Sequence, residues 1–168
     1  HKNTEEELDT FRKVAQIVGD KKLIDVGCGE AEASQFFPHY TGIDWSDVVI
    51  ERNRKRWVGK TFLNGDVDNV EEHFDFALLS QVMEHLENPK EYIEKIKKIA
   101  DKVIVIIPNG DLSEEIVRND VNYLSTKMED VHYHYANYYP KDIEEMFPPV
   151  EWAFEWVQKE GNNLIFIV

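Results

Sequence analysis

Three carboxylates and a pair of glycines are spaced in this chain as they would be to hold one small ligand. The first carboxylate sits in Leu23-Ile24-Asp25-Val26-Gly27-Cys28-Gly29-Glu30-Ala31, a short apolar run carrying an acid near its end and two glycines just beyond. Glycine there lets a ligand approach the backbone. The second is Asp44, 19 positions after Asp25, in Gly42-Ile43-Asp44-Trp45-Ser46. The third is Asp66, in Asn64-Gly65-Asp66-Val67. Each acid could instead be an ordinary turn residue bonding nearby loop amides. Acids at successive strand ends, however, converge on the crevice where open α/β sheets bind ligands.

Two ligand classes compete for the glycine turn. A dinucleotide fingerprint G-x-G-x-x-G would need glycine where this chain has Glu32, and its pyrophosphate would lie beside Asp25, Glu30 and Glu32. Like charges would repel it. S-adenosylmethionine has no phosphate and carries a sulfonium and an ammonium, so nearby carboxylates favour it.

The segment from Leu23 to Ala31 is similar to the first motif of class I S-adenosylmethionine-dependent methyltransferases, an acid followed by G-x-G-x-G, with Ala31 in place of the third glycine. The Asp44 segment resembles the family's second motif. Phe74-Asp75-Phe76-Ala77-Leu78-Leu79-Ser80-Gln81-Val82-Met83-Glu84-His85-Leu86 resembles its fourth strand and the E-H-L turn that follows. Together the motifs run in the family's order over about Leu23 to Pro108, and the chain looks like a small, single-domain, methyltransferase type 11/12-like member.

This resemblance implies a cofactor-binding set of Asp25, Gly27, Cys28, Gly29, Asp44, Trp45, Asp66, Val67 and Ser80. The Asp44 carboxylate would accept both ribose hydroxyls, Trp45 would lie against the adenine face, Asp66 would meet the adenine amino group, and Val67 would flank the ring. Cys28 is read as a small packing residue rather than a nucleophile. Glu84 and His85 are read first as capping or packing residues, with His85 the tentative catalytic base if the acceptor presents a hydroxyl or amine.

No metal site is assigned. Glu84 and His85 with His132 or His134 would resemble the cluster of small-RNA 2′-O-methyltransferases, but Gln81 stands where those enzymes carry a glutamate. The aromatic stretch from Tyr123 to Tyr139 lies where the family often builds its acceptor pocket. It reads equally as an acceptor surface or as cover for the sheet edge.

The elements that must position these residues alternate. Thr4 with Glu7 has capping-box spacing, and Leu8, Phe11, Val14, Ala15 and Val18 follow at helical spacing. Strands are expected at Lys22–Val26, Tyr40–Ile43, Thr61–Leu63, Phe74–Leu79 and Lys102–Ile107, with a helix after the glycine turn and others at Asp47–Arg56, Pro89–Ala100 and Lys141–Phe147. Trp152, Phe154 and Trp156 alternate with Glu151, Ala153 and Glu155, and Asn163–Val168 follows the Gly161-Asn162 turn as a terminal antiparallel hairpin. The expected fold is α/β, a doubly wound, mostly parallel seven-stranded sheet of Rossmann-like methyltransferase type. A single domain over 1–168 is expected from 168 residues without a linker or repeat.

Composition narrows the partners. A formal net charge of −14 disfavours nucleic acid, although Arg52 to Arg56 could form a local basic face. One cysteine excludes an intrachain disulfide framework and fits a cytoplasmic setting. His1 to Leu8 is polar and acidic, unlike a signal peptide, and the longest aliphatic run, Val103–Ile107, falls far short of the roughly 20 residues of a membrane helix. The expected activity is methyl transfer to a small-molecule acceptor. A non-catalytic S-adenosylmethionine-binding module is the alternative, and RNA 2′-O-methylation or nicotinamide-dependent oxidoreduction ranks below both. A short chain with little N-terminal cover suggests that a homodimer partner, another subunit or a mobile lid closes the site.

Overall fold

The apolar runs of the sequence become seven strands of one sheet, in the order β3-β2-β1-β4-β5-β7-β6. The structure, a computed structural model, describes residues 5–110 and 136–168. Thr4 of the expected capping box, and the part of the aromatic stretch holding Tyr123, His132, Tyr133, His134 and Tyr135, lie outside the described residues.

Strands β1 (Leu23–Val26), β2 (Tyr40–Asp44), β3 (Thr61–Asn64) and β4 (Phe74–Ser80) are joined in parallel, with Asp25 opposite both Gly42 and Leu78, and Asp44 opposite Asn64. The chain builds outward from β1 to β3 and then returns to place β4 on the other side of β1. Such a reversal leaves a crevice at the carboxyl ends of the two strands flanking it, here β1 and β4. Strand β5 (Ala100–Pro108) follows, its residues Val103 to Ile107 all buried. The chain closes with β6 (Glu155–Gln158) antiparallel to β7 (Asn163–Ile167).

By its contacts the chain divides into two units, His1–Ser80 with Glu94–Ile104, and Gln81–Ile93 with Val105–Val168. The first unit holds α1 (Glu5–Val18) and α2 (Asp47–Arg56). On α1 the buried residues Thr10, Val14 and Val18 share one face, and Phe11 meets Phe36 with ring centroids 6.1 Å apart. Helix α2 starts at Ser46, whose hydroxyl accepts from the Val49 amide, and buries Ile50 and Asn53. The second unit holds most of α3 (Pro89–Ile96) and all of α4 (Pro140–Met146). Proline opens α4 and the Asp142 carboxylate caps it by accepting from the Tyr139 amide at 2.9 Å. The second unit's core is aromatic: Phe147, Trp152, Phe154, Trp156 and Phe166 stack edge-on or tilted against one another.

Three expectations need correction. The helix after the glycine turn is only a single 3-10 segment, Glu32–Phe36, because Pro38 and the start of β2 at Tyr40 leave no room for more. Helix α3 ends at Ile96 rather than Ala100, since Ala100 already belongs to β5. Strand β6 begins at Glu155, not at Trp152, whose buried ring packs 4.9 Å from that of Phe147. Among the described residues no helix is long and apolar enough to cross a membrane.

Candidate functional site

The glycine turn after β1 is held in place by its neighbours in the first unit. The amides of Gly27 and Cys28 both donate to the Ile43 carbonyl, at 2.9 and 3.1 Å. The Gly29 amide donates to Asp44 Oδ2 at 3.1 Å, and the Gly29 carbonyl accepts from Asn53 Nδ2 at 2.6 Å. Trp57 Nε1 donates to the Glu30 carbonyl at 2.9 Å. Gly27 and Gly29 take φ of 72° and 48°, the left-handed region that glycine adopts without a steric penalty. Among the described residues, a methyl added at Gly29 would meet nothing within 4 Å, so the turn borders open space.

Asp44 ends β2 beside that turn. Its Oδ1 accepts from the Ser46 amide at 2.9 Å while Oδ2 holds Gly29. Each carboxylate oxygen has a second lone pair, so two ligand hydroxyls can still be received. The next ring, Trp45, is 80% exposed. One strand further out, Asp66 is exposed, and its Oδ1 accepts from the Val67 amide at 2.6 Å. Val67 is buried. Ser80 ends β4 half-buried, two residues past Leu78, the partner of Asp25. The sequence-derived set Asp25, Gly27, Cys28, Gly29, Asp44, Trp45, Asp66, Val67 and Ser80 therefore lies entirely in the first unit, at or just beyond the strand ends, with Asp25 one residue before the end of β1. His85 belongs to the second unit, half-buried in the 3-10 turn Met83–His85.

Asp25 lies beneath the turn, 4% exposed, with Oδ2 accepting from the Tyr40 hydroxyl at 2.6 Å. Burial pushes its carboxyl up to about 7, the Tyr40 bond partly opposes this, and the Asp44 charge adds to it. Cys28 is buried, and its thiol is pushed far above its ordinary value by burial first, then by Asp25 and Asp44. Without a thiolate it is a packing residue and no nucleophile. The Asp44 charge lies near enough to raise Asp25, and such a pairing favours a cationic ligand over an anionic one.

The acids thought to repel a pyrophosphate turn out differently. Glu30 pairs with Arg52, and Glu32 pairs with Arg56, so neither charge is left uncompensated. Arg54 bonds the Phe62 carbonyl at 2.8 Å and Glu51. Any repulsion of a phosphate at this turn would come from Asp44 and Asp25, and these three arginines of the Arg52–Arg56 stretch bond within the unit.

Sequence reasoning missed Tyr40, Asn53 and Trp57, which position the turn without belonging to any motif. Asn53 left one readable signal, a polar residue three positions after Ile50 on the buried face of α2. It also missed Gly42, where an added methyl would lie 2.9 Å from Cys28 Sγ and 3.0 Å from the Phe62 ring. Among the described residues no cluster of three or more metal-ligating side chains occurs, and His132 and His134 lie outside them.

A family model described as a methyltransferase domain matches residues 2–148. The Methanocaldococcus jannaschii protein MJ1123, described as uncharacterized, is 30% identical over 118 residues, 62% of this chain and 58% of its own length. The chain thus spans less than two-thirds of that relative. The magnesium protoporphyrin IX methyltransferase of Synechocystis PCC 6803 with bound SAH superposes with a TM-score of 0.70 at 15% identity, covering 96% of this chain and 82% of that one. The plantazolicin methyltransferase BpumL, in complex with a monoazolic desmethylPZN analog and SAH, gives 0.70 at 16%, covering 96% and 81%. The methyltransferase domain of bacterial CtHen1-CN gives 0.64 at 20%, covering 96% of each.

Proposed function

We propose, for a chain that belongs to the S-adenosylmethionine-dependent methyltransferase family, that the crevice beyond β1, β2 and β3 holds the cofactor and that the protein methylates a small-molecule acceptor. The observation that carries this reading is the fixed geometry of Asp44, locked to the Gly29 and Ser46 amides with lone pairs to spare. When bound, S-adenosylmethionine supplies a methyl group made electrophilic by its sulfonium sulfur.

The residues fit that group. Open space over Gly29 admits it against the backbone, Asp44 receives its vicinal hydroxyls, Trp45 offers a ring face, and Asp66 receives an amino donor. Gly27, Cys28 and Ser80 contribute backbone or hydroxyl groups at the ends of β1 and β4, and Val67 closes one side with an apolar surface. Asp25 and Asp44 supply negative potential for a cationic sulfur and amine. Because Asn53, Trp57 and Ile43 already fix the turn, little reorganisation is needed on binding, and pre-positioning of this kind supplies much of a methyl transferase's rate. One domain over 1–168, a cytoplasmic location and a partner or lid that covers the acceptor belong to the same reading. Tyr138 and Tyr139, the described end of the aromatic stretch, are its candidate acceptor-side residues.

Titration calorimetry with S-adenosylhomocysteine tests the reading. Two charge-assisted hydrogen bonds contribute roughly 1.5–3 kcal/mol each, so Asp44→Ala is expected to weaken binding by about 100-fold or more, while NADH does not bind the unsubstituted protein. Unchanged affinity in Asp44→Ala would remove the basis of the proposal.

A further inference from the structure

The turn after β4 contains a carboxylate that the cofactor site does not use. Glu84 is 2% exposed in the 3-10 turn Met83–His85, and its Oε2 is buried with no hydrogen-bond partner. No Lys, Arg or His pairs with it among the described residues. A buried carboxylate oxygen without a partner is costly enough that proteins rarely keep one without a use. Asp25, equally buried, shows the contrast, because it has the Tyr40 hydroxyl.

We propose that Glu84 receives the ammonium group of an amine acceptor and takes one of its protons. An amine fits better than an alcohol on two grounds. The ammonium brings the opposite charge that the buried carboxylate lacks, in a chain whose net charge of −14 already favours cations. Burial raises the Glu84 carboxyl to about 7, opposed in part by the residue's own backbone amide. Such a group can accept a proton from an ammonium, which ordinarily holds it to roughly 10, but not from a water-like hydroxyl near roughly 16. In the step, one N–H bond breaks and leaves its electron pair on nitrogen while an O–H bond forms at Oε2. The ammonium and the carboxylate become a neutral amine and a neutral acid.

Among the described residues, the titratable groups near Glu84 are its neighbour His85 and Tyr138. The Tyr138 phenol is raised by its own burial first, then by the charges of Glu84 and Asp142, so it stays protonated near neutrality and does not compete for the proton.

The inference rests on the methyltransferase reading only for what becomes of the amine, and binding without cofactor tests it separately. Calorimetry would use benzylamine and benzyl alcohol on the full chain at pH 6, 7 and 8. Benzylamine is expected to bind at least tenfold tighter than the alcohol at pH 8 and to weaken about fivefold by pH 6 as Glu84 protonates. Glu84→Gln abolishes both differences, Glu84→Asp retains a reduced amine preference, and His85→Asn keeps the pH dependence. Thermal melting establishes that each variant is folded. Equal binding of the two probes, binding of neither, or an amine preference that survives in Glu84→Gln overturns the assignment. S-adenosylhomocysteine titrated into the same samples separates the two readings: failure of the unsubstituted protein to bind it sinks the functional reading, whereas normal binding beside a failed amine test sinks only this one.

Discussion

The turns after β1 and β4 are built from similar parts and held very differently. Each contains a buried acid, Asp25 or Glu84, and each carries a non-glycine residue in left-handed backbone, Ala31 or Gln81, both at φ 55°. Around the first turn, Ile43, Asp44, Asn53 and Trp57 bond the loop backbone, and Tyr40 bonds the acid. After β4 the backbone is bonded, with the Gln81 amide donating to Ile106 O at 2.8 Å, but the Glu84 carboxylate is left with an empty oxygen. The first arrangement suits gripping a ligand by backbone and by a rigid carboxylate. The second suits proton chemistry, where the acid must keep a lone pair available.

The largest test of this contrast is in pH. Both acids are raised in the folded state, so between their unfolded values near 4 and about 7 the native protein holds extra protons. Stability therefore falls as pH rises through that window and levels off above it. The raised values correspond to roughly 3–4 kcal/mol per group. Urea unfolding from pH 4 to 8 should show a shallower decline in Asp25→Asn and in Glu84→Gln than in the unsubstituted protein. Identical slopes would mean that neither acid is held as described.

Next in size are changes to the tied loop. Gly42→Ala forces a methyl against Cys28 and Phe62 and should cost about 1–3 kcal/mol. Asn53→Ala strips the Gly29 carbonyl of its buried donor and should cost about 1–3 kcal/mol, with a parallel loss of S-adenosylhomocysteine affinity. If Asn53→Ala lowered stability but left that affinity intact, the bond would hold the fold and not the site.

The smallest effect concerns the two left-handed residues. Gln81 is exposed, so Gln81→Gly relieves roughly 1 kcal/mol of strain and gives up only its side-chain bond to Asn163. Ala31 is 2% exposed, and Ala31→Gly gains similar relief but loses a buried methyl of roughly 0.8 kcal/mol. Thermal melting should show a small rise for the first and almost none for the second. A large drop in either would mean that the side chain does more than occupy its position.

Where the candidate site residues lie along the chain could be read in advance because strand ends and glycine turns leave local signatures. Asp25, Asp44, Asp66 and the two glycines announce themselves by spacing, and helix α2 runs over the expected range Asp47–Arg56. The residues that hold those groups in place could not be read so easily. Tyr40 reaches Asp25 across 15 positions and Asn53 reaches Gly29 across 24, and no periodicity signals a bond of that length. The pairing of Glu30 with Arg52 and of Glu32 with Arg56 was equally hidden, because those arginines lie on a helix that only folding brings near.

The succession of strands and helices along the chain, the glycine turn and the acids at or near the strand ends are local properties, and the chain's residues alone determined them. Which carboxylates carry a free charge was decided by tertiary structure. Burial and the reach of a neighbour decide what each acid meets: Glu32 pairs with Arg56, Asp25 is bonded by Tyr40, and Glu84 Oε2 is buried without a hydrogen-bond partner among the described residues.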